Sequence, residues 1–404
     1  LPPIGGGRVV LGMTAHPLRT SSVLALAALV GCTDAASTDP AEQDPETGVA
    51  ESARSHGVLY QRRTEAGTPE IAVGFPGGRV VPVRAVSGSL MPGSGPGPGQ
   101  MAVSPDGKRM VFVSFEGGEN RLIARPIRGT AADEVILARD VTSSVKAAWS
   151  PDGSQIAYVG RSRTSDSESD TVLLVPAAGG KARTIASVST IAAGGCLAPS
   201  WSPDGKELAF ALSFKLSTYR LRDGKTTDIV PDGDAILCGA QWSPDGKTIA
   251  YDAFFGSQPG VHRVARAGGA VTLVAADGSS ARWSADSAQL AYLTFGEHDL
   301  LHVIRADGRD DRVLADSPVR LTGPQFVAGG NTILLEQIDD SAGTERLLTA
   351  STRGGAPADL GIEDAIPGMT YPVALPPGAA SLDDAATGSV TWPPGPGATA
   401  QPGE

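Results

Sequence analysis

The chain has 404 residues, of which 41% are hydrophobic and only 5% aromatic, and a formal charge of −11. The acid is concentrated toward the ends: residues 32–55 carry six acids against Arg54, residues 361–404 carry five acids and no base, and the stretch between them is close to neutral. An almost neutral body with acidic ends excludes the electrostatic footprint of a nucleic-acid partner, and 51 glycines with 31 prolines point to turns and short strands.

Met13, the expected true start, opens a segment that reads as an export signal. Arg19 supplies the basic flank and Ser21 to Val30 the apolar core, which is too short to span a bilayer as a helix. The segment ends in Leu29-Val30-Gly31-Cys32, which resembles the bacterial lipobox. That resemblance implies lipidation of Cys32, with two acyl chains anchoring the exported protein to a membrane of the cell envelope; an ordinary signal peptide with an incidental cysteine is the alternative. Residues 1–31 are thus the signal region, and 32–55 form an acidic linker too poor in apolar residues to pack.

One phrase then recurs through residues 56–375. Ser104-Pro105-Asp106-Gly107, Ser150-Pro151-Asp152-Gly153, Ser202-Pro203-Asp204-Gly205 and Ser243-Pro244-Asp245-Gly246 are intact copies, and Trp149, Trp201 and Trp242 precede three of them. Two decayed copies follow, Trp283-Ser284-Ala285-Asp286-Ser287 and Phe326-Val327-Ala328-Gly329-Gly330. Each phrase suits a tight reversal: Pro fixes φ at the first central position, Asp tolerates the second, and Gly takes positive φ. After it comes a short strand such as Gln155-Ile156-Ala157-Tyr158 or Thr248-Ile249-Ala250-Tyr251. The aliphatic and the aromatic residue lie two apart and share a face, and the small residue between them faces a close neighbour. A second, glycine turn follows in each unit, for example Gly179-Gly180 and Gly268-Gly269. The unit is therefore a four-stranded antiparallel meander repeating every ~40–50 residues, which is the pattern of propeller blades.

These phrases, seen most clearly in Ala148-Trp149-Ser150-Pro151-Asp152-Gly153 and Ala240-Gln241-Trp242-Ser243-Pro244-Asp245-Gly246-Lys247, resemble the TolB-type repeat, a relative of the WD repeat. The resemblance implies an all-β propeller. Glycine turns outnumber the first-strand phrases by one, beginning at Gly77-Gly78. A first blade that enters at its second strand and takes its innermost strand from within 362–392 would account for this; it predicts seven blades, with six as the alternative. Residues 376–404 form a Pro/Gly-rich tail.

Export would place Cys196 and Cys238 in an oxidising compartment. They occupy near-equivalent positions in adjacent blades, so a cross-blade disulfide and two buried thiols both stay open. No catalytic residue, cofactor or metal is predicted. The chain lacks a Gly-x-Ser-x-Gly nucleophile elbow and zinc-ligand cysteine spacing. Asp106, Asp152, Asp204 and Asp245, with Gly107, Gly153, Gly205 and Gly246, repeat as turn-formers and so carry no chemistry.

In a meander the first and third turns share one end, while the second loops and the blade crossovers share the other. That second end carries the irregular loops, where function usually sits. Its candidates are Arg161 and Arg163, the adjacent aromatics Phe254-Phe255, and the polar cluster Glu297-His298-Asp299. The function expected is an anchored scaffold engaging an envelope protein, a peptide or a cell-wall component. The alternative is a polysaccharide lyase or hydrolase with its site at the channel mouth.

Overall fold

The computed structural model describes residues 58–63, 69–74, 80–83, 89–90, 101–141, 147–163, 168–189, 198–212, 214–326 and 330–362. The export segment, Cys32, the acidic linker, Cys196 and the C-terminal tail fall outside the described residues.

Strands form where the sequence alternates aliphatic, small and aromatic residues between turns. Six sheets carry the strands of a full blade, here numbered I to VI: 89–139, 147–189, 200–230, 236–276, 279–317 and 320–359. Blade II is representative, with strands Ala147–Trp149, Gln155–Arg163, Glu168–Pro176 and Arg183–Ser189 in antiparallel meander order. In blade I the inner position is divided between Ser89–Leu90 and Met101–Val103, both paired to Arg109–Glu116. A three-stranded sheet, Val58–Arg63, Pro69–Gly74 and Val80–Pro82, precedes blade I.

The ring is built by packing one blade on the next. Ile156 and Tyr158 of blade II enter a core with Val111, Val113 and Leu122 of blade I. Ala157 and Val159, on the opposite face of the same strand, pack against Trp201, Leu208 and Phe210 of blade III. The small residue does sit where the neighbouring sheet approaches. The two ends of the ring meet through the three-stranded sheet, where Tyr60 and Ala72 bury against Leu334, Leu347, Leu360 and Ile362.

Seven blades are not confirmed: six sheets have four or more strands, and the N-terminal sheet has three. Gly77-Gly78 lie outside the described residues, between the strands Pro69–Gly74 and Val80–Pro82, so the pair adds a turn signal in the sequence without adding a complete blade. The segment expected to supply its closing strand lies, beyond Ile362, outside the described residues.

The repeated phrase forms the same turn in every described copy. In blade II, the Gly153 amide donates to Ser150 O (2.8 Å), the Ser150 hydroxyl donates to Asp152 Oδ1 (2.5 Å), and the Gln155 amide donates to Ser150 Oγ (2.9 Å). The decayed copy keeps this geometry: Ser284 Oγ donates to Asp286 Oδ1 (2.6 Å), and Ser287 takes the glycine position at φ 62°. The serine hydroxyl is the largest cause holding Asp152, Asp245 and Asp286 below the usual carboxylate range. At Asp106 and Asp204 partial burial pushes the other way and is outweighed by serine, backbone-amide and arginine partners. Because these carboxylates are depressed in the fold, the stability they contribute is present above the unfolded carboxylate range and lost as pH falls through the folded values. Replacing Asp152 or Asp245 with Ala should cost about 1–2 kcal/mol each and flatten the acid limb of the stability profile, as read by denaturant unfolding across pH.

Blade VI holds a carboxyl of opposite behaviour. Glu336 is fully buried, accepts the Thr322 hydroxyl at 3.0 Å, and interacts with the carboxyl of Glu345. Burial first, then the Glu345 charge, raises its pKa well above the ordinary value. A raised carboxyl binds its proton more tightly folded than unfolded, so stability falls as pH rises from the ordinary glutamate range through the folded value. Glu336→Gln keeps an acceptor for Thr322 and offers Glu345 a permanent donor. It should raise the thermal midpoint at pH 7 and leave it unchanged near pH 4, as followed by circular dichroism.

Candidate functional site: the loop face

Connections between the second and third strands of every blade emerge at the end opposite the Ser-Pro-Asp-Gly turns. Exposed aromatics stand in four of them or at the strand ends beside them: Phe115 in blade I (37% exposed), Phe214 in blade III (40%), Phe254 and Phe255 in blade IV (38% and 72%), and Phe295 in blade V (56%). Five of the chain's nine phenylalanines thus stand on one rim, whereas Phe112, Phe210 and Phe326 are buried. Backbone geometry fixes the most prominent of them. Phe255 sits at φ 61° and Gly256 at φ 72°, and the Ser257 amide donates to Asp234 Oδ2 (2.8 Å), so a crossover carboxylate clamps the hairpin and holds Phe255 outward. A non-glycine residue in the left-handed region is strained, and the clamp offsets that strain.

Of the expected loop residues, Phe254 ends the strand Thr248–Phe254 rather than lying in a loop, and only Phe255 belongs to the connection. Arg161 and Arg163 are also on a strand, not in an irregular loop: Gln155–Arg163 runs on to pair Arg161 with Asp170 and Arg163 with Glu168. Asp299 begins the strand Asp299–Arg305, and Glu297 and His298 precede it at the surface. The three do not converge. His298 Nδ1 meets Asp316 Oδ1 at 2.5 Å, while Asp299 Oδ2 accepts the Leu321 amide of blade VI at 2.9 Å. Burial raises the pKa of Asp299 against that bond.

Phe115, Phe214 and Phe295 are the rim residues that reading one loop at a time misses. Aligning the repeats recovers them: Phe115, Phe254 and Phe295 each stand three residues after the aromatic of the second strand (Phe112, Tyr251, Tyr292), and Phe214 stands four after Phe210.

Toward the channel the inner strands of blades IV, V and VI are bulged at 238–241, 279–282 and 322–325, with Gly239, Ser280 and Gly323 at φ 63°, 60° and 59°. Asp252 Oδ2 accepts the Ser280 amide of the next blade at 2.8 Å. Burial lowers the pKa of Arg282, and the nearby Asp252 charge opposes this. Cys238 lies on the inner strand Ile236–Trp242, not in the crossover before it, and is disulfide-bonded; its partner cysteine lies outside the described residues. Among the described residues no group of three or more His, Cys, Asp and Glu side chains is placed to hold a metal ion, and no helix is long and apolar enough to cross a membrane.

Residues 131–365 match the TolB beta propeller domain family. No curated protein sequence matches the chain. Among solved structures it is similar to TolB from Acinetobacter baumannii, at 18% identity and a TM-score of 0.46, covering 78% of this chain and 65% of that one, so it spans just under two thirds of that relative's length. It is also similar to a puromycin hydrolase, at 17% identity and a TM-score of 0.56, covering 80% of this chain and 56% of that one. An oligogalacturonate lyase from Vibrio parahaemolyticus matches at 13% identity and a TM-score of 0.50, covering 75% of this chain and 84% of that one. At such identities these likenesses report the fold alone. The family match spans more than half of the chain, and the described turns repeat in register through it: the chain belongs to the TolB β-propeller domain family.

Proposed function

We propose that this protein is a non-catalytic binding scaffold that recognises a protein partner through the phenylalanine rim of its loop face. The observation that carries the reading is the recurrence of exposed Phe115, Phe214, Phe254, Phe255 and Phe295 at equivalent hairpins of four blades. Exposed aromatics gathered on one face of a rigid frame are what interface cores are made from. Scattered surface phenylalanines would not share a register. In this reading the protein is exported and held at the cell envelope by a lipid on Cys32. That thioether would leave Cys196 as the disulfide partner of Cys238, since the chain has three cysteines.

A second reading has two ionisable pairs and two structural likenesses in its favour. The ionisable pair His298–Asp316 and the Asp252–Arg282 pair near the channel stand at the end where a propeller enzyme would place its site, and two of the structurally similar proteins are a hydrolase and a lyase.

Two measurements test the proposal. Cys32→Ala should move the protein from the membrane fraction to the soluble one and abolish incorporation of labelled lipid; a wild-type chain found soluble would refute the anchor. Replacing Phe254, Phe255 and Phe295 together with Ala should weaken capture of the partner cross-linked to the wild-type protein by about 30-fold or more, with an unchanged thermal midpoint. Turnover of an oligogalacturonate or a peptide amide by the purified protein, lost in His298→Ala, would instead establish the second reading.

A further inference from the structure

The last inter-blade step on the turn face is built differently from the others. Between blades I and IV, Pro105, Pro151 and Pro203 each pack on the turn glycine of the following blade, their carbons 3.9, 3.7 and 3.6 Å from the Cβ positions of Gly153, Gly205 and Gly246. Between blades IV and V the Asp245 amide donates to Ser287 Oγ at 3.0 Å. Between blades V and VI, Ala285 stands where the proline would, and among the described residues nothing lies within 4 Å of the Cβ position of Gly330. That step encloses a cleft of about 870 Å³.

Four arginines line the cleft: Arg263 from blade IV, Arg305 and Arg312 from blade V, and Arg353 from blade VI, against Asp286 and Asp307. Asp286 is occupied by the Ser284 hydroxyl and the Ala288 amide. Asp307 and Asp310 are taken up by Arg305, at 3.4 and 3.7 Å. Arg263, Arg312 and Arg353 have no ion pair among the described residues, and Arg263 Nε is buried without a hydrogen-bond partner. Two arginines at other steps are satisfied. Arg109 lies over Trp149 and donates to Gly153 O at 2.6 Å, and Arg266 lies over Trp242 and pairs with Asp204 and Glu207. Uncompensated positive charge is thus gathered in this cleft of a chain whose net charge is −11.

The chemistry narrows the ligand. Guanidinium forks match planar carboxylates bidentately, and several of them spread over one cleft suit carboxylates spaced along a chain. Among the described residues the lining contains no aromatic ring, hence no stacking platform for a nucleobase or a sugar ring. We propose that the cleft between blades V and VI binds an acidic peptide segment through its side-chain carboxylates. This is a second recognition site, at the opposite end of the propeller from the phenylalanine rim and independent of it.

The test is fluorescence anisotropy of a labelled peptide of alternating Glu and Ser, titrated with the full chain at low salt. Binding should saturate, vanish for the Gln/Ser peptide and weaken about tenfold or more in Arg312→Glu/Arg353→Glu; it should also fall steeply by about 0.5 M salt. Both residues are exposed, so the fold should be retained; Arg312→Gln alone, checked by circular dichroism, reads the same loss if the double variant fails to fold. Binding should be unchanged in the exposed-charge control Lys181→Glu and in Phe254→Ala/Phe255→Ala. Absence of saturation, an equal loss in Lys181→Glu, or a loss in the phenylalanine variant would overturn the proposal. Displacement by inorganic phosphate or trigalacturonate at lower concentration than unlabelled peptide would overturn the peptide assignment.

Discussion

Blades of a propeller share no hydrogen-bonded ladder, so the angle and height at which one follows another must be fixed by something more directional than apolar contact. In this protein that role falls to the tryptophan on the first strand of blades II to V and the turn after it. The indole N–H of Trp149 donates to Ala102 O (3.2 Å), that of Trp201 to Ala148 O (3.1 Å) and that of Trp283 to Gln241 O (3.3 Å), each acceptor lying on the inner strand of the preceding blade. Trp242 departs from the pattern: its indole N–H is buried without a partner among the described residues, and the step is held instead by its backbone amide donating to Ser200 Oγ at 3.3 Å and by Arg266 over its ring. The Ser-Pro-Asp-Gly turn completes the joint by setting proline on glycine from blade to blade.

This joint divides the molecule into two ends with different freedoms. On the turn face, side chains are committed to hydrogen bonds within and between turns, and a change there is felt as stability. The second-to-third-strand hairpins at the other end are tied at single points, Ser257 to Asp234 and Asp299 to the Leu321 amide. They vary in length and composition, so exposed phenylalanines can accumulate without weakening the ring. Blade VI is the exception on the turn face. Having lost the tryptophan and the proline-on-glycine contact, it leaves a step open, and arginines line the opening.

Most of the architecture was legible in the sequence because the turn is local chemistry. Ser150, Pro151, Asp152 and Gly153 dictate their own geometry, and Ile156-Ala157-Tyr158 states which face receives which neighbour. Blade number was less legible. A glycine pair such as Gly77-Gly78 marks a turn between strands but not whether a fourth strand completes the sheet. The site was legible only in part. Phe254-Phe255 drew notice because the two are adjacent, whereas Phe115 and Phe295 are single residues whose significance appears only when the blades are superposed. Arg161 and Arg163 were misplaced because a charged stretch reads as loop until its cross-strand partners Asp170 and Glu168 are seen. The arginine cleft could not be read at all, since Arg263, Arg305, Arg312 and Arg353 come from three blades and meet only through the ring.

The central claim is that the tryptophan joint couples each blade to its predecessor while leaving the loop face mechanically independent. Hydrogen–deuterium exchange of Trp201→Phe, which keeps the ring bulk and deletes the bond to Ala148 O, tests it most directly. Exchange should quicken together in the inner strands 147–160 of blade II and 200–212 of blade III, with the hairpin around Phe254 and Phe255 unchanged. Faster exchange confined to blade III, or spread to the phenylalanine hairpins, would contradict it.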